Sequence, residues 1–351
     1  MSKTVFVGLS GGVDSSVSAL LLKQAGYNVV GVYMKNWSKD LPGFPCPWKE
    51  DYQDAKRIAV QLGIDFKMFD FEREYFDKVV GYMLDGFKAG ITPNPDIMCN
   101  QEIKFKLFFD TAVEQGADFI ATGHYAQTKD GKLLKAVDDN KDQTYFLYRV
   151  SEEALIKTLF PIGHLTKPEV RKIAEENNLV TATKKESMGI CFVGKVGIKE
   201  FLSQYVETEP GEVVDQNGVV IGEHDGAIFY TIGQRHGLDL GGGLPFYVTG
   251  KDMDKNRVFV TTDLNDKALW SDELNLTSVH WISDSQKSKV ESLKNLQVRT
   301  RHRAKLVDCT MEKKENGDVV LKLKDQIRAI TPGQSAVIYS GEVCYGGGII
   351  Y

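Results

Sequence analysis

The sequence is poor in cysteine, has no excess of basic residues and has no long apolar run. Its 351 residues include five cysteines without a Cys-x-x-Cys pair, which argues against a secreted disulfide scaffold or a zinc ribbon. The net charge of −5 excludes a surface coated with cations, so any nucleic-acid binding must rely on local positive charge. We expect no transmembrane helix and no signal peptide, hence no membrane partner and a cytoplasmic protein with reduced thiols.

Strand-like and helix-like segments alternate through residues 1–205. The β-favouring run Thr4–Gly8 precedes a helical pattern over Ser15–Ala25, and a second strand is predicted at Asn28–Met34. Further on, Thr166-Lys-Pro-Glu169 is a capping-box pattern that begins another helix. This alternation predicts an α/β N-terminal domain whose parallel sheet is covered by helices on both faces.

The pattern changes after Glu207-Thr-Glu-Pro-Gly211, where short β-like runs replace helices. Gln216-Asn-Gly218 lies between two valine runs and is a hairpin signal. Further β-like segments follow at Val298–Val307 and Ala336–Tyr339. We therefore predict two small β-rich domains, the last barrel-like, and divide the chain into residues 1–205, 206–270 and 271–351.

Two common nucleotide-binding motifs are missing, namely a Gly-x-Gly-x-x-Gly turn and a loop ending in Gly-Lys-Ser/Thr. Instead, Gly8-Leu-Ser-Gly-Gly-Val-Asp-Ser15, hereafter the phosphate loop, joins a predicted strand to a predicted helix. Glycines let backbone N–H groups face an anion, and the following helix adds the positive end of its dipole. Asp14 beside phosphate implies an intervening cation, so magnesium is expected with the nucleotide.

The phosphate loop resembles the pyrophosphate loop of PP-loop ATPases, which split ATP between the α- and β-phosphates. The resemblance implies that the product is an adenylated substrate. The predicted ATP-binding residues of the loop are Gly8, Leu9, Ser10, Gly11, Gly12, Val13, Asp14 and Ser15. Because ligands of open α/β sheets lie at the carboxyl ends of strands, Met34 and Gly123 are added as nucleotide contacts. For Met34, a role as core filler stays open.

Cys99 lies in an unusual segment, Thr92-Pro-Asn-Pro-Asp-Ile-Met-Cys99, where a helix is predicted to begin. A thiol at a helix N-terminus has a lowered pKa, and Asp96 stands ready to take a proton or hold a base edge. A buried structural cysteine is the alternative, but the polar, proline-framed segment argues against burial.

Cys191 lies between glycines in Ser187-Met-Gly-Ile-Cys-Phe-Val-Gly194, just after Lys184 and Lys185, whose charge would favour a thiolate. A swinging thiol of this kind suits a sulfur carrier. An apolar cysteine packed beside Ile190 and Phe192 is the alternative interpretation.

Taken together, motifs along nearly the whole chain resemble those of the bacterial tRNA-specific 2-thiouridylase family. The matching segments are Gly8–Ser15, Met34–Trp37, Thr92–Phe105, Ala121–Tyr125, Asn140–Gln143, Gly189–Phe192, Thr231–Arg235, Thr331–Ser335 and Gly346–Ile350. The loop between Leu240 and Tyr247 looks short for the family. The resemblance implies ATP-dependent conversion of the tRNA wobble uridine to 2-thiouridine, with a cysteine desulfurase or sulfur-relay protein as sulfur donor.

The resemblance also assigns roles to individual residues. Cys99 is the nucleophile, Cys191 carries the persulfide, and Asn94, Pro95 and Asp96 contact the target base. From the residues themselves, Asp96 is predicted to act as general acid/base, and the two cysteine roles predict a transient Cys99–Cys191 disulfide during turnover. The tRNA contacts implied by the family are His124, Lys141, Asp142, Gln143, Arg301, His302 and Gln334.

One RNA surface is also predicted from the residues themselves. Arg299, Arg301, Arg303 and Lys305 alternate with other residues, so on a strand all four cations would face one way, about 6–7 Å apart. Such a stripe matches a phosphate backbone. A solvated strand face neutralised by acidic residues elsewhere is the alternative interpretation.

Three other functions remain open at this point. PP-loop synthetases also amidate adenylates, although no glutaminase segment is visible here. A non-catalytic RNA-binding module that senses ATP is a second possibility, against which the paired cysteines argue. In the third, Asp96, Cys99 and Cys191 ligate an iron–sulfur cluster instead of handling a persulfide.

Overall fold

The first sheet is built of five parallel strands in the order β3-β2-β1-β4-β7. In the computed structural model, residues 2–41, 45–185, 197–238, 240–241 and 245–351 are described. The strands of this region are β1 (Thr4–Gly8), β2 (Asn28–Lys35), β3 (Asp65–Asp70), β4 (Phe119–Ala121), β5 (Gln127–Lys129), β6 (Lys132–Leu134) and β7 (Thr158–Leu159). Strands β5 and β6 form a hairpin outside this sheet.

Helices cover both faces of the sheet, as the alternating pattern predicted. The helices of the first 205 residues are α1 (Val13–Gln24), α2 (Trp48–Leu62), α3 (Glu72–Tyr75), α4 (Gly81–Lys88), α5 (Pro95–Cys99), α6 (Phe108–Glu114), α7 (Thr144–Leu147), α8 (Glu152–Ile156), α9 (Lys167–Glu176) and α10 (Ile198–Leu202). π-Helical segments Phe76–Val80 and Asn100–Leu107 join α3 to α4 and α5 to α6. Alternate residues of β1 point to opposite faces, so Val5 and Val7 pack with α1, α2 and α9, whereas Phe6 packs with α4 and α6.

The rest of the chain is β-rich, as predicted. A four-stranded sheet in the order β10-β11-β8-β9 contains β8 (Gly211–Val214), β9 (Val220–His224), β10 (Tyr247–Asp252) and β11 (Arg257–Thr261). The predicted hairpin at Gln216-Asn-Gly218 joins β8 to β9. Six strands then close into a barrel in the order β12-β15-β14-β13-β16-β17, with β17 pairing back to β12. They are β12 (Trp270–Trp281), β13 (Leu296–Arg299), β14 (Val307–Lys313), β15 (Val319–Arg328), β16 (Ser335–Ser340) and β17 (Val343–Ile350), with α11 (Asp284–Val290) after β12.

The predicted stripe of four cations on one strand is wrong. Strand β13 ends at Arg299, and the chain turns immediately afterwards. Arg303 has a φ of 62°, in the left-handed region, which is incompatible with a continuing strand. Arg299 itself is buried. The four side chains therefore do not form one exposed face.

Buried polar contacts join the barrel to the first domain. The Arg299 guanidinium lies 2.9 Å from the carboxylate of Asp142, and both side chains are almost fully buried. Asp142 also accepts hydrogen bonds from the Ala136 N–H and the Thr144 hydroxyl. The β5–β6 hairpin extends the same connection, because Leu134 of β6 pairs with Val343 of β17. The barrel therefore folds against the first domain rather than apart from it.

Asp142→Asn is expected to destabilise the protein by about 3 kcal/mol, because it leaves the Arg299 charge buried without a counter-charge. Urea denaturation would measure the loss. Asp308→Asn is the matched control, since Asp308 forms an exposed ion pair with Lys324 and should cost little. Equal losses in the two variants would contradict a special role for the buried pair.

His280 of β12 lies at the same junction, close to Arg149 and Val150 of the first domain. Its Nε2 atom is buried and has no hydrogen-bond partner among the described residues. Burial, helped by the nearby Arg149 charge, lowers the pKa of His280 to about 4. The histidine is therefore neutral in the folded protein at neutral pH.

Acid should weaken this junction. The unfolded chain takes up a proton at the ordinary histidine pKa of about 6.5, before the folded protein does, so the free energy of unfolding should fall as the pH drops below that value. Urea unfolding between about pH 7 and pH 5 should show a shallower fall for His280→Gln than for the parent. His164→Gln, at an exposed histidine, is the control. An unchanged slope for His280→Gln would refute this account.

Candidate functional site

The phosphate loop leaves the first turn of α1 open to an anion. Gly12 is the residue before the helix, and no side chain among the described residues caps the N-terminus. Gly11 has a φ of 73° and packs so closely on the backbone of Asp51 in α2 that a β-carbon would clash there. The hydroxyls of Ser10 and Ser15 lie 3.2 Å apart beside the loop. This arrangement of N–H and O–H donors at a helix N-terminus is suited to phosphate.

Both further nucleotide contacts predicted from strand ends lie beside the loop. A methyl group added to Gly8 would lie 3.0 Å from the Cε atom of Met34 at the end of β2. One added to Gly123, after β4, would lie 2.7 Å from the backbone nitrogen of Ser15. The carboxyl ends of β1, β2 and β4 thus bring together three segments that are far apart in sequence.

Two residues that sequence reasoning missed contact Asp14. The Lys167 ammonium lies 2.7 and 2.8 Å from the two Asp14 carboxylate oxygens, and the Tyr125 hydroxyl donates to Asp14 at 3.0 Å. Lys167 is the first residue of α9, whose capping box between Thr166 and Glu169 is present as predicted. The capping box is the sequence signal that could have pointed to Lys167, because it places this lysine in the first turn of a helix.

The contacts of Asp14 bear on the expected magnesium ion. Both of its carboxylate oxygens accept hydrogen bonds from Lys167, so a cation there would have to displace the ammonium group. The described residues also contain no group of three histidine, cysteine or acidic side chains arranged for a metal. In this conformation the donor set does not fit magnesium, and the ion remains a prediction from the sequence.

Asn94, Pro95 and Asp96 form the start of α5. Asn94 caps the helix by accepting the Ile97 N–H at 3.3 Å, and Pro95 occupies the first turn. Burial raises the pKa of the Asp96 carboxyl, and the positive charge of Lys104 partly opposes that shift. A carboxyl group with a raised pKa is better matched to giving and taking a proton near neutral pH.

The expectation that Cys99 avoids burial is wrong. Cys99 is 3% exposed and belongs to a large apolar cluster that extends from the first domain into both β-rich domains. It is the last residue of α5, beyond the first turn, where the helix dipole acts most weakly on a thiol. The polar loop ends at Asn94, and one turn of helix is enough to direct Cys99 inward.

His124 is packed among aromatic rings rather than exposed. Its ring lies 5.7 Å from that of Phe105 and 6.3 Å from that of Phe160, and its Nδ1 atom is 2.8 Å from the Thr122 hydroxyl. Burial, with a smaller effect from Lys104, lowers the pKa of His124 well below its ordinary value. A contact with tRNA would therefore be made by a neutral imidazole.

The other residues proposed to contact tRNA fall into two groups. Asp142 and Gln143 hold protein structure: Asp142 binds Arg299, and the Gln143 side chain accepts the Tyr125 N–H at 2.9 Å. Lys141 beside them is partly exposed. A side-chain contact between Asp142 and RNA would require the buried ion pair to open.

Arg301, His302 and Gln334 form the second group, on the barrel. Arg301 donates to the Ala329 carbonyl oxygen, and burial lowers the pKa of its guanidinium. The His302 ring lies 4.7 Å from that of Phe146, and burial, with nearby positive charges, lowers the pKa of His302 to about 4. Gln334 donates to the Thr92 carbonyl oxygen at 2.9 Å.

Cys191 lies outside the described residues, so its distance from Cys99 and its place in any iron–sulfur cluster stay untested. Of the two lysines expected to favour its thiolate, Lys184 binds the carboxylates of Asp51 and Asp54 at 2.8 and 2.6 Å. Its charge is therefore already compensated. Lys185 is exposed.

Within the described residues, no helix is both long and apolar enough to cross a bilayer.

Three family models match consecutive parts of the chain. A tRNA methyl transferase HUP domain matches residues 3–195, a tRNA methyl transferase PRC-barrel domain matches residues 199–262, and an aminomethyltransferase β-barrel domain matches residues 271–350. Together they follow the α/β, central β-rich and barrel regions of the structure.

Curated relatives match over almost the full length. The chain is 49% identical over 352 aligned residues to the tRNA-specific 2-thiouridylase MnmA of Oceanobacillus iheyensis, covering 99% of this chain and 94% of the relative. It is 48% identical to that of Bacillus subtilis, with the same coverage, and 50% identical to that of Exiguobacterium sibiricum, covering 99% and 93%. With half of its residues shared along nearly its entire length, the chain belongs to the family of tRNA-specific 2-thiouridylases.

Proposed function

We propose that the protein converts the wobble uridine of tRNA to 2-thiouridine, at the expense of ATP, as a tRNA-uridine 2-sulfurtransferase. The observation that carries the proposal is the phosphate loop. It offers an uncapped helix N-terminus beside Met34 and Gly123, in a chain half identical to 2-thiouridylases. Two of the family models are named for methyl transfer, but a loop shaped for phosphate favours adenylation and the relatives' named activity.

The first step is activation of the base. The uridine O2 atom attacks the α-phosphorus of ATP, the bond between the α-phosphorus and the bridging oxygen breaks, and pyrophosphate leaves. The product is a uridine base with AMP attached to O2. The O2 oxygen alone is a poor leaving group, whereas AMP is a good one. The N–H groups of the phosphate loop hold the phosphates and stabilise the charge that develops on them.

The second step delivers sulfur. The terminal sulfur of a persulfide on Cys191 attacks C2 of the base, and AMP leaves. The Cys99 thiolate then attacks the Cys191 sulfur, which frees the thiouridine and leaves a Cys99–Cys191 disulfide. In the alternative order of steps, Cys99 attacks the persulfide first and releases hydrosulfide, and the hydrosulfide then attacks C2. In both, two external thiols or a dithiol reduce the disulfide and are themselves oxidised to a disulfide.

Asp96 is proposed to manage the proton on the uridine. The base loses its N3 proton when O2 becomes nucleophilic, and a carboxylate close to the base accepts it. Burial raises the pKa of Asp96, which supports this assignment because the group then holds the proton more readily. Asn94 and Pro95, which begin the same helix, are proposed to contact the base beside it.

The tRNA is proposed to lie across the 138–144 loop and the barrel. The proposed contacts are Lys141, Gln143, Arg301, His302 and Gln334, together with the two buried residues His124 and Asp142. A wobble uridine is already unpaired in its loop, so moving it out of the stack costs little. A cysteine desulfurase or sulfur-relay protein is proposed to load Cys191.

The first test is pyrophosphate release from ATP with and without tRNA that lacks the thiolation. We expect release only with the tRNA, because the uridine O2 atom is the nucleophile. Equal release without RNA would point to another substrate. If no release occurs, adding a cysteine desulfurase with cysteine tests whether sulfur loading must come first, and continued absence of release would refute the proposal.

The two cysteine roles can be separated by substitution. Cys191→Ser should still release pyrophosphate in the presence of tRNA but should form no 2-thiouridine, since the persulfide has no carrier. Cys309→Ser is the matched control, because Cys309 is buried in the barrel, far along the chain from the proposed chemistry. Nucleoside analysis by mass spectrometry reads out the product, and normal thiolation by Cys191→Ser would eliminate the carrier role.

A further inference from the structure

Thr92, two residues before the proposed base-contacting segment, is held by both β-rich domains. Its N–H donates to the Pro332 carbonyl oxygen at 2.8 Å, and its own carbonyl oxygen accepts from Gln334 at 2.9 Å. Its hydroxyl lies 3.2 Å from the hydroxyl of Thr231 in the central domain. All three polar groups of this residue are therefore engaged by other domains.

The contact is also sterically tight. Gly333 has a φ of 92°, and a β-carbon there would lie 2.8–2.9 Å from the backbone of Thr92. On the other side, Pro93 packs against Gly86 of α4, where a β-carbon would lie 2.8 Å from the proline ring. The chain at Thr92 and Pro93 thus has little freedom to shift.

The elements that hold Thr92 are themselves fixed. The Gly333 N–H donates to the Ile350 carbonyl oxygen, and the Ile350 N–H donates to the Gln334 carbonyl oxygen, so the turn is tied to β17. On the central-domain side, Gly233 packs against Ala329 without room for a side chain. Thr231 therefore lies next to a close contact between the central domain and the barrel, which limits its movement.

We infer that Thr231 is a positioning residue for thiolation: through Thr92 it sets the start of α5 and with it Asn94, Asp96 and Cys99. The inference rests on the proposed function. Thr231 has no assigned role in the chemistry, and it acts through another residue rather than on the substrate. It gives the central domain, which otherwise has no part in the proposed mechanism, a direct influence on the geometry at the reacting base.

The test compares Thr231→Val with Thr231→Ser. Valine keeps the shape but removes the hydroxyl, whereas serine keeps the hydrogen bond to Thr92. We expect kcat for 2-thiouridine formation to fall about tenfold in Thr231→Val, with KM values for ATP and tRNA within about twofold of the parent, and Thr231→Ser to recover most of the rate. Thr310→Val, at an exposed threonine of β14, is the matched control.

A second measurement does not depend on activity. Amide hydrogen exchange over residues 92–99 should be faster in Thr231→Val than in Thr231→Ser or Thr310→Val, while exchange in β1 and α1 stays unchanged. A lower kcat in Thr231→Val, together with faster amide exchange confined to residues 92–99, supports the positioning role of Thr231. A loss of protection throughout the chain would instead indicate general destabilisation and overturn the inference.

The two proposals fail in different ways. If the parent protein forms no 2-thiouridine with tRNA, ATP and a loaded sulfur donor, the proposed function fails and the inference fails with it. If the parent is active and Thr231→Val matches it in kcat and in exchange over residues 92–99, only the positioning role is refuted.

Discussion

The open N-terminus of α1 is the feature on which the proposed chemistry depends. A helix begins with N–H groups that have no partner within the helix, and in the part of the chain that the structure describes no side chain supplies one here. The close contacts of Gly11 with α2 and of Gly123 with α1 hold these groups at the carboxyl edge of the sheet. The two nucleotide contacts predicted outside the loop, Met34 and Gly123, both lie against it.

The Asp14–Lys167 ion pair determines the local charge beside the phosphate loop. The lysine neutralises Asp14, the one acidic side chain of the loop, so the region around the helix N-terminus is not dominated by negative charge. Lys167 also starts α9, but the N-terminus of that helix is already capped by Thr166 and Glu169. A triphosphate at the loop would therefore lie close to one open helix N-terminus, that of α1, and to the Lys167 ammonium group.

The sequence predicted what is determined locally. The strand–loop–helix around the phosphate loop, the capping box at Thr166 and the hairpin at Gln216-Asn-Gly218 all depend on residues a few positions apart, and all are present. The parallel sheet followed from the alternation of elements. The β-like runs after Gly211 likewise predicted two β-rich domains, the last of them barrel-like.

Features set by distant contacts were missed or wrong. Asp14 and Lys167 are 153 residues apart, and nothing local to either marks them as partners. Cys99 was expected to avoid burial because its neighbours are polar, but helical rotation directs it into the core. The prediction of a cation stripe is wrong because Arg303 adopts a left-handed conformation, which breaks the alternation of side chains that a strand requires. His124 is enclosed by Phe105 and Phe160, which only the tertiary fold brings together.

The β5–β6 hairpin changes how separable the three domains are. It leaves the first domain and adds its strands to β17 of the barrel through Leu133 and Leu134. A fragment cut at the start of the barrel would leave the outer edge of β17 near Cys344 unpaired, and an uncovered strand edge invites pairing with other chains. The barrel is thus a poor candidate for transplantation or independent expression, although the family models divide the sequence into separate domains.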